Sequence, residues 1–249
     1  MTKRYTRLVM GMPVTVEIVD AASSGVIEAV FDYFTAIDRR FSTYKVDSEI
    51  SACNRGDIAP AQYSSDMREV LALAERTKAE TGGFFEIRRP DGCMDPSGIV
   101  KGWAVRNAAN IIRQAGFRNF YVDAGGDIEA SGHNGDGESW RAGIRNPFNA
   151  DGIVNAVALD GCGIATSGSY VRGQHIYDPH HPGERLSDIV SLTVIGPDVL
   201  EADRFATAAF AMGADGIYFI EDRPGLEGYA IDAQGIATQT SGFGAYVIS

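Results

Sequence analysis

Asp203 and Thr207 stand four residues apart in "EADRFATAAFAMG". Four residues is about one helical turn, so a helix here sets a carboxylate and a hydroxyl on the same side. Two readings fit. Asp203 charges or caps the helix start, with Thr207 bonding back to a carbonyl. Alternatively, the two oxygens ligate a hard cation such as Mg²⁺, which takes few protein oxygens and completes its shell with water and phosphate. A second stretch, "DPSGIVKGWAV", places Ser97 and Gly98 where a loop enters a helix, with Lys101 in the first turn. Open N–H groups plus an ammonium suit an anion; a capped helix with a solvated lysine is the plainer alternative. The dipole disfavours a lysine at that end, which weighs toward a site. The stretch is not a P-loop, since G-x-x-x-x-G-K-[ST] is missing.

Three more stretches carry candidate chemistry. In "DAGGDIEASG", Gly125, Gly126 and Asp127 form either an ordinary hairpin turn or a close backbone approach to a flat ligand. It is no G-x-G-x-x-G fingerprint. In "ATSGSYVRGQHIYDP", Thr166, Ser167 and Gly168 adjoin a strand end, and His175 and Asp178 follow. His175 suits a proton carrier or ligand partner. Without G-x-S-x-G, Ser167 is not expected to be a nucleophile, and His180 and His181 are expected on the surface. In "RRFSTYKVDSEISACNRG", Phe41, Ser42 and Tyr44 suit either a planar ligand or a surface loop packing one ring.

Helices and strands must position these groups. Apolar residues at Val26, Ile27, Val30, Phe31, Phe34 and Ile37 recur at helical spacing. A Ser/Asn/Gly-rich loop is expected from Ser42 to Ala59. Ser64 or Ser65 caps a second helix that ends at Gly82-Gly83, and a third ends at Gly116. The fourth carries Asp203, and "ADGIYFIEDR" suggests a short fifth. "YTRLVMGMPVTVEIVD" reads as a strand pair, or as one strand interrupted at Gly11 and Pro13. Further strands follow, often consecutively and with hairpin-like turns. This order predicts α+β with mostly antiparallel sheet, not a doubly wound parallel fold.

Composition narrows the function classes. The 249 residues suit one domain, with two fused lobes the alternative, and 45% hydrophobic content supplies a core. A net charge of −11 with no Lys/Arg cluster argues against nucleic acid. An anionic ligand would then need backbone N–H groups or a bridging cation. Three cysteines, Cys53, Cys93 and Cys162, lack C-x-x-C spacing and predict neither a disulfide framework nor a zinc site. No run is long enough to span a membrane, and the N-terminus alternates where an export signal would carry an apolar core. The expectation is a cytoplasmic protein.

The order of the motifs says more than any one of them. "MGMPVTVEI", "IDRRFSTYKVDSEISACNRG", "TGGFFEI", "DPSGIVKGWAV", "VDAGGDIEASG", "ATSGSYVRGQHIYDP" and "ADRFATAAFAMG" run in sequence from about Met10 to Phe243. Together they resemble the ApbE family, the FAD:protein FMN transferases. The resemblance implies an α+β fold of two fused T-fold-like halves, with FAD as substrate and Mg²⁺ as cofactor. It implies transfer of FMN to a Thr or Ser of an acceptor protein, with release of AMP. Asp203, Thr207 and the carbonyl of Gly98 would hold the metal. Ser42, Tyr44, Lys101, Gly125, Gly126, Asp127, Thr166, Ser167, Gly168 and His175 would contact FAD. His175 would accept the hydroxyl proton, Asp178 could share that task, and Lys101 would sit near the phosphates or the flavin. Two alternatives share the site: an FAD pyrophosphatase, and a non-catalytic flavin-binding protein. Glu86 stands where the family often has Asp, and Pro96 where an apolar residue is usual.

Overall fold

The N-terminal alternation folds back on itself. In the computed structural model, which describes residues 3–19, 24–149, 151–169 and 176–248, strands β1 (Lys3–Val9) and β2 (Met12–Ile18) form an antiparallel hairpin. Met10 (φ 55°) and Gly11 (φ 72°) make its two-residue turn. Paired positive φ values are what a tight hairpin of this twist needs. Pro13 lies within β2, opposite Leu8, and does not break it.

The helices fall where the apolar spacing puts them. They are α1 (Ser24–Phe41), α3 (Ser65–Glu80), α4 (Ser97–Gln114), α5 (Val199–Ala211) and the short α6 (Gly216–Glu221). Ser64 caps α3 by accepting the Met67 N–H at 3.1 Å. The expected loop from Ser42 to Ala59 instead contains a helix, α2 (Glu49–Arg55), started by Ser48 and stopped by Gly56 in the left-handed region (φ 75°). It buries only Ile50 and Cys53, too few positions to announce a period.

Eight strands make one sheet in the order β1-β2-β3-β4-β7-β8-β9-β10. The new members are β3 (Phe120–Ala124), β4 (Asp127–Ser131), β7 (Gly163–Gly168), β8 (Ile189–Gly196), β9 (Glu227–Asp232) and β10 (Ala237–Gln239). β5 (Trp140–Arg145) and β6 (Ile153–Leu159) form a separate two-stranded sheet. Every strand pairing among the described residues is antiparallel, as the order of elements predicts.

Strand alternation sorts the core. Val14, Val16, Phe120 and Val122 pack with Phe34 and Trp103 of α1 and α4, while Leu192 and Val194 pack with Phe210 and Ile220 of α5 and α6. Ile128, Ile164 and Ile195 pack with Trp140, Ile144 and Val157 of the β5–β6 hairpin. On β4, Asp127 and Glu129 alternate with Ile128, so they point away from the hairpin. Glu129 accepts the Val199 N–H at 2.8 Å and Arg113 Nη2 at 2.6 Å, tying the start of α5 to the sheet. Among the described residues, no helix is long and apolar enough to cross a membrane.

Candidate functional site

The floor of the site is the crossing of α4 and α5. Two glycines one turn apart on α4, Gly98 and Gly102, face Thr207 and Asp203 one turn apart on α5. A Cβ on Gly102 would fall 2.6 Å from Asp203 Cβ and 2.8 Å from the Val199 carbonyl oxygen. Only glycine admits α5 so closely. The closeness has a chemical result: the Gly102 N–H donates to Asp203 Oδ2 at 2.7 Å. In a regular helix that N–H serves the carbonyl of Gly98. Here the Gly98 carbonyl accepts the Thr207 hydroxyl at 3.2 Å, and Ser167 Oγ lies 3.4 Å from Thr207 Oγ1.

Asp203 therefore does not cap α5. Asp198 does, accepting the Glu201 N–H at 2.9 Å, while Asp203 is buried one turn further along. A second buried carboxylate meets it. Asp127, at the start of β4, binds Lys101 Nζ at 2.6 Å and accepts the Thr166 N–H at 3.3 Å. Burial, and then the charge of Asp127, push the Asp203 carboxyl well above the usual carboxylate range, against the pull of Lys101 and the Gly102 N–H. Two buried carboxylates with one ammonium leave negative charge in excess. Among the described residues, no three His, Cys, Asp or Glu side chains cluster as a metal cage. The donors are instead carboxylate, hydroxyl and carbonyl oxygens on rigid elements. That hard, negatively charged set fits Mg²⁺. Asp203, Thr207 and the Gly98 carbonyl would hold it, with Asp127 and Lys101 alongside.

Above this floor opens a cleft with a cavity of about 460 Å³, a size usual for small-molecule sites. It gathers ten of the residues singled out in the sequence: Gly98, Lys101, Gly125, Gly126, Asp127, Thr166, Ser167, Gly168, Asp203 and Thr207. The Gly125-Gly126 turn bends with φ values of 64° and 104°. Its N–H groups are engaged, Gly125 with the Pro13 carbonyl and Gly126 with Asp123 Oδ1. Burial raises the Asp123 carboxyl, which the Gly126 and Tyr121 donors oppose. The start of α4 is also largely self-satisfied: Ser97 N–H binds Asp95, and those of Ile99 and Val100 bind the Pro96 carbonyl.

Ser42 and Tyr44 do not line the cleft; they shape the turn after α1, and Tyr44 is 98% exposed. His175 lies outside the described residues. Asp178 stands beside the cleft wall with both oxygens engaged, by the His180 N–H and by His181 Nδ1, each at 2.8 Å. Burial acts to raise its carboxyl, but those hydrogen bonds outweigh it and hold Asp178 low. His180 and His181 are exposed as expected, yet His180 also packs edge-on against Phe84 and meets the Gly82 carbonyl at 3.1 Å. Sequence reasoning missed the apolar wall of Phe84, Phe85, Ile176 and Tyr177, and the cations Arg89 and Arg145. Glu86, noted only as a departure, lines the cleft with Lys78 on one oxygen and the Arg88 N–H on the other. The aromatic pair in "TGGFFEI" was the available signal for the wall.

An antiparallel α+β fold whose helix crossing buries paired carboxylates under a cleft of this size defines a candidate small-molecule site. The comparisons with known proteins are specific. A sequence model described as "ApbE family" matches residues 10–90 and 87–230. The FAD:protein FMN transferase of Escherichia coli (strain K12) is 34% identical over 89% of this chain and 81% of that protein. That of Klebsiella pneumoniae (strain 342) is 27% identical over the same shares. Among solved structures, the flavin transferase ApbE from Vibrio cholerae aligns with TM-score 0.86 at 23% identity over 99% of both chains. The ApbE protein from Thermotoga maritima aligns with TM-score 0.86 at 20% identity over 100% of both. The chain belongs to the ApbE family.

Proposed function

We propose that this protein is a Mg²⁺-dependent FAD:protein FMN transferase, moving the FMN half of FAD to a Thr or Ser hydroxyl of an acceptor protein and releasing AMP. The observation that carries this reading is the buried Asp203–Asp127 pair with Lys101, set beside Thr207 and the Gly98 carbonyl at the base of the cleft. The names of the family relatives supply the substrate and the acceptor class.

In this reaction the acceptor oxygen bonds to the FMN phosphorus. The phosphorus–oxygen bond to the AMP phosphate breaks, and the hydroxyl proton leaves to a base. A bound Mg²⁺ supplies charge neutralisation on the phosphate oxygens and on the departing AMP. The chain's own residues bind and orient. Lys101, fixed by Asp127, keeps an ammonium at the cleft floor where phosphate charge develops. The wall of Phe84 and Tyr177 gives a flat ring an apolar bed and limits water. We assign the proton-accepting role to His175. Asp178, with its oxygens engaged, orients the turn that follows.

The test incubates the protein with FAD and Mg²⁺, with and without candidate acceptor proteins. Covalent flavin on a Thr or Ser peptide by mass spectrometry, with stoichiometric AMP, is the expected result. AMP and free FMN without covalent product would make the protein an FAD pyrophosphatase. Binding without turnover would make it a flavin-binding protein. Either result overturns the transferase assignment.

A further inference from the structure

The cationic groups of the cleft are unequally committed. Lys101 is held by Asp127, and Arg89 Nη2 lies 2.5 Å from Asp91 Oδ2. Arg145, the last residue of β5, lines the same cavity and is exposed. Among the described residues its side chain takes part in no hydrogen bond or ion pair, although its charge pulls on the buried Asp123 carboxyl. Plain alternation along β5 places Arg145 on the same face as Gly143, which also lines the cavity. The backbone donors that would compete for an anion are in use, as described for the Gly125-Gly126 turn and the start of α4.

We propose that Arg145 is the phosphate-recognising residue of the cleft, its guanidinium binding the non-bridging oxygens of a nucleotide phosphate. The planar fork of donors matches two phosphate oxygens, which a point-like ammonium does not. This inference rests on the reading of FAD as substrate and names how the charged middle of FAD is held.

Arg141 is the natural control. It stands on the same side of β5, binds Glu138 at 2.9 Å and does not line the cavity. Flavin fluorescence titrations in EDTA would measure affinities for FAD, FMN and riboflavin, with AMP as a competitor. The proteins compared would be wild type, Arg145→Ala, Arg145→Lys and Arg141→Ala, each checked for an unchanged melting temperature. Arg145→Ala is expected to weaken FAD by about 10- to 100-fold. Riboflavin binding should not change, Arg145→Lys should recover part of the loss, and Arg141→Ala should match wild type. A loss shared with FMN places the fork on the flavin phosphate, and one shared with AMP places it on the adenylate phosphate; both support the inference. Unchanged FAD affinity in Arg145→Ala overturns it. So does an equal loss for riboflavin, or an equal loss in Arg141→Ala, which would show only a diffuse field. Should wild type bind none of these flavins either in EDTA or with Mg²⁺ restored, the FAD reading itself falls and takes this inference with it.

Discussion

Replacing Gly102 by alanine puts a methyl where α5 already lies. The new Cβ would stand 2.6 Å from Asp203 Cβ and 2.8 Å from the Val199 carbonyl oxygen. Carbon atoms rest at about 3.5–4.0 Å, so the helices must part by about 1 Å. Neither obstacle is a flexible side-chain end. Overpacking of this kind costs about 1–3 kcal/mol. Stretching the Gly102 N–H to Asp203 bond adds to that, since a hydrogen bond to a charged group contributes about 1.5–3 kcal/mol. Alanine returns about 1 kcal/mol through its better helix propensity. The terms together give a net loss of about 1.5–5 kcal/mol, read as a lower urea midpoint at unchanged slope. Mg²⁺ binding should weaken in parallel, because the parting moves Asp203. Gly98→Ala is the comparison: its Cβ would meet Thr207 Cγ2 at 2.9 Å, a methyl that rotation can move. It should cost less stability while still disturbing the Thr207 contact. A Gly102→Ala protein as stable as wild type, or more so, would refute the close crossing and the site built on it.

Asp203→Asn should abolish the rise in melting temperature on adding Mg²⁺ while keeping the fold, as scanning calorimetry would show; a retained rise would remove Asp203 from the metal. Arg204, buried beside Glu80 and Glu201 and lying over Phe205 at 4.0 Å, joins α5 to α3. Because both glutamates are partly exposed and can rehydrate, Arg204→Ala should cost about 1–3 kcal/mol by urea denaturation, below the full figure for a buried pair. The hydrogen bond to Asp178 raises the His181 pKa, so that part of the turn's stability is complete below the ordinary histidine value and is lost as pH rises through the raised one. Asp178, held low, contributes above the ordinary aspartate value and loses that contribution as pH falls through its lowered one. An NMR titration should show the His181 pKa falling back in Asp178→Asn.

The helices were legible because each buries a face long enough to show its period, and the Gly125-Gly126 turn because few residues accept positive φ; the N-terminal stretch stayed open between a strand pair and one interrupted strand, since Met10 gives no local sign of its positive φ. α2 was not, since its seven residues bury just two side chains and its signals were the small caps Ser48 and Gly56. Asp203 and Thr207 were found by their spacing, but the actual cap, Asp198, lay one turn earlier. The Asp127–Asp203 contact was hidden, because it joins a strand to a helix 76 positions later and no local pattern encodes it. Arg145 stayed unremarked for a similar reason: β5 belongs to a separate two-stranded sheet, and nothing local in "WRAGIRNP" shows that this sheet borders the cleft.

The Gly102 N–H to Asp203 bond joins two segments 101 positions apart in the chain. During synthesis, the first helix of this pair leaves the ribosome long before the second exists. Until then the glycine face of α4 has no mate, and Asp127 and Lys101 have no opposing acid. On the proposed function, competence to bind Mg²⁺ thus arrives late and all at once, when translation reaches α5. A chain cut short before Val199 should emerge unable to take up the ion, however much of its sheet has already assembled.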